Sequence, residues 1–123
     1  MKMYKKSVGA FGEMIAEKHL IKKKYKIIDK NFYIRGGEID IIAQKGEYLV
    51  FVEVKTRSSN KFGSAAEAVD FYKKTRMIKA AKVFLQRYGN AYARFDVIEV
   101  YITSNSTKLV ADKISHIENA FME

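Results

Sequence analysis

Apolar residues in this chain recur first at helical spacing. Over residues 7–24 Val8, Phe11, Met14 and Ile15 cover one side, and Ser7 stands where an N-cap would. A second stripe on the same helix holds Gly9, Gly12, Glu13, Ala16 and Leu20, all within about 100° of arc at a turn of about 100° per residue. Small residues let a helix approach its neighbour closely, so this face holds the Glu13 carboxylate at an interior surface. Glu17 falls toward solvent.

The period then changes. Residues 25–33 read as a strand of β-branched and aromatic positions broken by Asp29 and Asn31, and Arg35-Gly36-Gly37 as a turn. Residues 38–43 and 48–57 form the clearest strand pair, joined by the polar loop Gln44-Lys45-Gly46-Glu47. Residues 58–63 read as loop. From about Ala65 helical spacing returns, with Met77, Ile78, Ala81, Phe84, Leu85 and Tyr88 on one face and Gly89 as the stop. Residues 94–103 are a further strand, 104–107 a polar turn, 108–111 a short strand and 116–121 a short terminal helix. With no repeat and no linker, residues 1–123 are expected to form one domain. The order α-β-β-β-α-β gives an α/β fold, a mixed sheet flanked by helices.

Composition adds a partner and removes chemistry. Lys and Arg number 23 against 14 Asp and Glu, a formal charge of +9 that points to a polyanion, nucleic acid before an anionic membrane surface. No uncharged apolar run approaches the ~18 residues of a membrane span, and no apolar h-region follows the basic N-terminus, so a soluble, cytoplasmic protein is expected. The absence of cysteine excludes disulfides, thiolate nucleophiles and Cys-based zinc sites. With His19 and His116 the only histidines, and both expected to be structural, a metal here would be held by oxygen.

The hairpin carries the candidate chemistry. In its second strand Val50, Val52 and Val54 point to one face, and Leu49, Phe51, Glu53, Lys55 and Arg57 to the other. A two- or four-residue loop sets Asp40 opposite Glu53 or Phe51, and either register puts it on the Glu53 face. Two carboxylates and an ammonium thus converge. Mutual repulsion would raise at least one carboxylate pKa unless a divalent cation or Lys55 offset it. Mg²⁺ or Mn²⁺ suits such oxygen donors, and together with Lys55 outlines a phosphodiester hydrolysis site. A Glu and a Lys two apart on a strand are most often a solvated face with a cross-strand ion pair. Here they follow the apolar run 48–54 and are matched by Asp40, a costly arrangement to bury without function.

The runs Gly37-Glu38-Ile39-Asp40-Ile41-Ile42-Ala43 and Val50-Phe51-Val52-Glu53-Val54-Lys55-Thr56-Arg57 resemble the YraN family of small bacterial proteins, which belongs to the PD-(D/E)xK restriction-endonuclease-like superfamily. Archaeal Holliday junction resolvases look like its nearest characterised relatives. Further matching features are Gly9, Gly12-Glu13, Ala16, Asn31, Phe62-Gly63, Ala68-Val69, Lys73, Arg94-Phe95-Asp96-Val97 and Ala120-Phe121. The resemblance implies a restriction-endonuclease-like core with Asp40 and Glu53 as the metal-binding pair and Lys55 as the catalytic lysine. Glu13 would approach the metal directly or through water, and the Val54 carbonyl would be a further ligand. Ile39 stands where the motif has proline.

Lys73 shares the Met77 face of the second helix, a spacing that suits a solvated lysine at a helix start as well as one aimed at the hairpin; the resemblance implies a phosphate or site contact. Lys74, Arg76, Arg35 and Arg57 complete the expected nucleic-acid-binding set; Glu38 shares the strand parity of Asp40, where it is a candidate remote ligand, but is expected to pair with Arg35 or Arg57. The leading reading is a Mg²⁺-dependent endonuclease acting on DNA, with branched or otherwise structured DNA one candidate substrate; sequence-specific cleavage is not expected, because 123 residues leave little beyond the nuclease core to read base edges. No organic cofactor is expected, and the resolvase resemblance implies a homodimer. The alternative is a nucleic-acid-binding protein that keeps the nuclease fold with little or no catalysis. An adaptor for an acidic protein or lipid head group ranks last, since it gives Asp40, Glu53 and Lys55 no task.

Overall fold

The computed structural model describes residues 2–58, 71–89, 91–105 and 108–121. The loop expected after Ser58, Phe62-Gly63, Ala68-Val69, the start of the helix expected from Ala65, and Ser106-Thr107 lie outside them. Within them the chain runs α1 (Lys2–Lys22), β1 (Lys26–Ile34), β2 (Gly37–Lys45), β3 (Tyr48–Ser58), α2 (Phe71–Tyr88), β4 (Tyr92–Asn105) and β5 (Lys108–Phe121).

The strands form one sheet in the order β1-β2-β3-β4-β5. All neighbours are antiparallel except β3 and β4, which run parallel. A parallel neighbour needs a crossover, and α2 supplies it. β3 lies at the centre, and its apolar run is buried on both faces. Leu49, Phe51, Phe95 and Val97 pack with Met77, Ala80 and Ala81 of α2. Val50, Val52, Ile98 and Val100 pack with Ala16 and Leu20 of α1. The alternation expected of residues 49–57 is therefore the division between two cores.

Glycine sets the close approaches. A Cβ at Gly12 would collide with the Thr56 side chain, so α1 crosses β3 near the end that carries the candidate site. A Cβ at Gly37 would stand 2.6 Å from the Arg76 carbonyl oxygen, so the first half of α2 rests on the start of β2.

Several boundaries differ from expectation. Ser7 is not an N-cap, because α1 already begins at Lys2. Met14 leaves the apolar face and is 41% exposed. The hairpin loop shrinks to Gly46-Glu47, with Lys45 opposite Tyr48 and Gly46 at φ 59°. Ser104 and Asn105 extend β4 rather than forming a turn. The terminal helix is absent, since residues 116–121 continue β5. Asn119 takes φ 52° and donates its N–H to Asp96 Oδ1 at 2.9 Å, while Phe121 stacks on Phe95 with ring centroids 4.9 Å apart. These tertiary contacts override a segment with weak strand propensity.

Candidate active site

The regular β2–β3 ladder ends at Ile41 opposite Val52. Continued by one residue, the same register sets Asp40 opposite Glu53. Instead of continuing the ladder, Asp40 turns its carboxylate to the neighbouring strand, and Val54 N–H donates to Asp40 Oδ2 at 2.8 Å. In a strand the N–H and C=O of one residue face the same neighbour, so the Val54 carbonyl also faces this gap. An irregularity in β1 accompanies it. Asn31 adopts φ 53°, and across it Lys30 reaches Glu17 of α1 at 3.0 Å while Phe32 packs edge-on against Phe84 of α2.

Glu53 is buried, at 2% exposure, beneath two ammonium groups. Lys73 Nζ donates to Glu53 Oε2 at 2.8 Å, and Lys55 Nζ lies 3.5 Å from the same oxygen. The Lys73 contact follows from placement on the face of α2 that also bears Met77. Burial first, and then the negative charge of Glu53, push the Asp40 carboxyl up to about 7 despite the hydrogen bond from Val54. Glu13 is also raised, chiefly by burial, partly opposed by a hydrogen bond from Asn31 and reinforced by Glu53. For Lys73, burial alone would lower the ammonium pKa, but the Glu53 hydrogen bond and the charges of Glu53, Asp40 and Glu38 raise it. Burial and the neighbouring charge of Glu53 thus act in the same direction on Asp40 and Glu13.

The structure therefore brings Asp40, Glu53, Lys55, Lys73 and the Val54 backbone together, with Glu13 coupled to them from α1. Among the described residues no three acidic or imidazole side chains form a ready cation cage. The remaining basic residues spread out. Lys74 lies over the Phe121 ring at 5.5 Å and Arg76 over Tyr72 at 5.7 Å, while Arg35 is exposed in the turn before β2. Arg57 does not take Glu38: its Nε donates to Glu99 at 3.1 Å.

Two groups of residues lacked an assigned role. Glu99 is 1% exposed; its signal is a carboxylate in strand alternation with the apolar Phe95 and Val97. Asp96, the other buried acid of β4, faces the α1 side. Arg94 donates to both its oxygens at 2.9 Å, and His116 Nε2 lies 2.8 Å from Oδ2. His116 Nδ1 is 3.1 Å from His19 Nε2, so both histidines serve a polar network that ties α1 to β4 and β5. This agrees with their structural assignment.

Comparison with known proteins follows the same residues. The model of the family described as "Uncharacterised protein family UPF0102" matches residues 12–100, a span that begins just before Glu13 and includes Asp40, Glu53, Lys55 and Lys73. The chain belongs to the UPF0102 family. A UPF0102 protein of Caldanaerobacter subterraneus subsp. tengcongensis is 49% identical over 122 residues, covering 98% of both chains. A UPF0102 protein of Geobacter metallireducens is 44% identical over 123 residues, covering 98% of this chain and 97% of its own. One of Clostridium tetani is 41% identical over 118 residues, covering 91% and 97%. These UPF0102 relatives thus match this chain over nearly all of their own lengths. No helix among the described residues is long and apolar enough to cross a membrane.

Proposed function

We propose that this UPF0102 chain is a divalent-cation-dependent endonuclease of the PD-(D/E)xK type that hydrolyses phosphodiester bonds in DNA, with branched or structured DNA as its preferred substrate. The observation that carries this reading is the meeting of Asp40 with the Lys73–Glu53–Lys55 cluster where the hairpin ladder ends. The donors fit a hard cation. They are all oxygens, and burial first, with the charge of Glu53 adding to it, displaces Asp40 and Glu13 upward. Asp40 and Glu53 would hold Mg²⁺ or Mn²⁺ with the Val54 carbonyl, and Glu13 directly or through water. When bound, the ion supplies Lewis-acid polarisation of a phosphoryl oxygen and eases deprotonation of water.

The other work falls to this chain's side chains. Lys55, beside Glu53, orients the attacking water or offsets charge growing on the scissile phosphate. Lys73 holds Glu53 in place. The surplus of Lys and Arg, +9 over the whole chain, lets a polyanion approach carboxylates that would otherwise repel it. The test is DNA cleavage with added Mg²⁺ or Mn²⁺, compared with Asp40→Ala, Glu53→Ala and Lys55→Ala.

One observation favours a second reading, DNA binding without cleavage. Glu53 Oε2 already faces both lysines, an arrangement complete without a cation. Cleavage no greater than that of the three variants would select this reading.

A further inference from the structure

On the face of the sheet that bears Glu53, the C-terminal part of β3 holds a second charged group. Arg57 lies two residues beyond Lys55. Its Nε donates to Glu99 Oε2 at 3.1 Å, and the Tyr101 hydroxyl donates to Glu99 Oε1 at 2.7 Å. Both carboxylate oxygens of Glu99 are thereby engaged, and its side chain is 1% exposed while that of Arg57 is 37% exposed. A buried carboxylate is costly, and here it turns one edge of an exposed guanidinium inward. The guanidinium's terminal nitrogens can then present a planar fork suited to phosphate.

We infer that Arg57, seated on Glu99 and Tyr101, grips a backbone phosphate of the bound DNA on the sheet face that bears the carboxylates. Glu99 and Tyr101 are positioning residues: they act through Arg57. This rests on the proposed nuclease reading and adds a second contact to it.

The test is binding of a short fluorescent DNA duplex over a salt series, with cleavage followed on the same DNA. Arg57→Gln is expected to reduce the slope of log affinity against log salt by about 0.9, the loss of one phosphate contact. Glu99→Gln gives opposite signs for the two explanations. Removing a negative charge near a polyanion strengthens binding by Coulomb's law alone, whereas loss of the seat weakens it about tenfold. In an Arg57→Gln background Glu99→Gln should cause no further weakening. Tyr101→Phe changes no charge and, should Glu99→Gln fail to fold, carries the test with an expected loss of about threefold.

An unchanged salt slope in Arg57→Gln overturns the inference. So does binding by Glu99→Gln, or by Tyr101→Phe in its place, as tight as wild type. Wild-type cleavage with either result leaves the nuclease reading standing without this contact. The expected binding pattern without cleavage does the reverse.

Discussion

Lys73 Nζ meets Glu53 Oε2 at 2.8 Å, which joins the first turn of α2 to the central strand across 20 residues of sequence. This bond makes the position of α2 part of the site. Removing the ammonium leaves a buried carboxylate with Lys55 at 3.5 Å as its remaining cation among the described residues. Lys73→Ala should lower stability by about 1–3 kcal/mol, less than the loss of a fully buried partner because Lys73 is about one-third exposed. Chemical denaturation measures this. Mg²⁺ should raise the melting temperature of the variant more than that of wild type, since it would replace the missing positive charge.

The helix is also held from beneath. Gly37→Ala would place a methyl group 2.6 Å from the Arg76 carbonyl oxygen, a backbone atom that cannot turn aside. The variant should lose about 1–3 kcal/mol. As α2 shifts, the Lys73–Glu53 contact should loosen. Thermal melts give the first effect, and a reduced penalty for Lys73→Ala in the Gly37→Ala background gives the second.

Asp40 sets a pH dependence whose sign follows from its displacement. Its folded pKa is raised from 3.8 to about 7, so the folded chain binds the proton more tightly than the unfolded chain does. Its contribution to stability is present at low pH, declines as pH rises from about 4, and is lost above about 7. Asp40→Asn keeps an acceptor for Val54 N–H and removes the charge. It should therefore be more stable than wild type at pH 8, with the advantage shrinking toward pH 5. Urea titrations at the two pH values measure the difference.

Asp96 behaves in the opposite sense. Burial alone would raise it, but hydrogen bonds from His116, Arg94 and Asn119 N–H outweigh burial and hold it below the usual 3.8. Its stabilisation is present above the ordinary carboxylate pKa and is lost as pH falls through the lowered folded value. Asp96→Ala leaves the half-buried Arg94 and the buried His116 side chain without their carboxylate, at a cost of about 3–5 kcal/mol. Acid denaturation at a higher pH than wild type is the expected observation.

Strand alternation was legible in the chain, because the valines at 50, 52 and 54 and the Leu49–Phe51–Glu53 series pack against different helices. The small-residue stripe of α1 was legible in part: Gly12 has no room for a Cβ beside Thr56 and Ala16 is buried in the same core, whereas a Cβ at Gly9 would meet nothing. The hairpin register was not, since two turn lengths served the polar loop until Lys45 and Tyr48 paired. Nor did periodicity reveal the reach of β5, whose last residues are fixed by Asp96 and Phe95 from another strand. In the site, parity brought Asp40, Glu53 and Lys55 together. The Arg57–Glu99 pair remained hidden because it depends on the parallel register that sets Lys55 beside Glu99.

The central claim is that Asp40, Glu53 and Lys55 form a hydrolytic centre and not only a charged fold element. Plasmid, linear and four-way-junction DNA incubated with the chain and Mg²⁺ or Mn²⁺ tests it most directly. The prediction is cation-dependent cleavage, strongest on the junction, reduced at least about a hundredfold by Asp40→Ala, Glu53→Ala or Lys55→Ala in variants that still fold. Wild-type cleavage indistinguishable from those variants, with either cation and on all three DNAs, would contradict it.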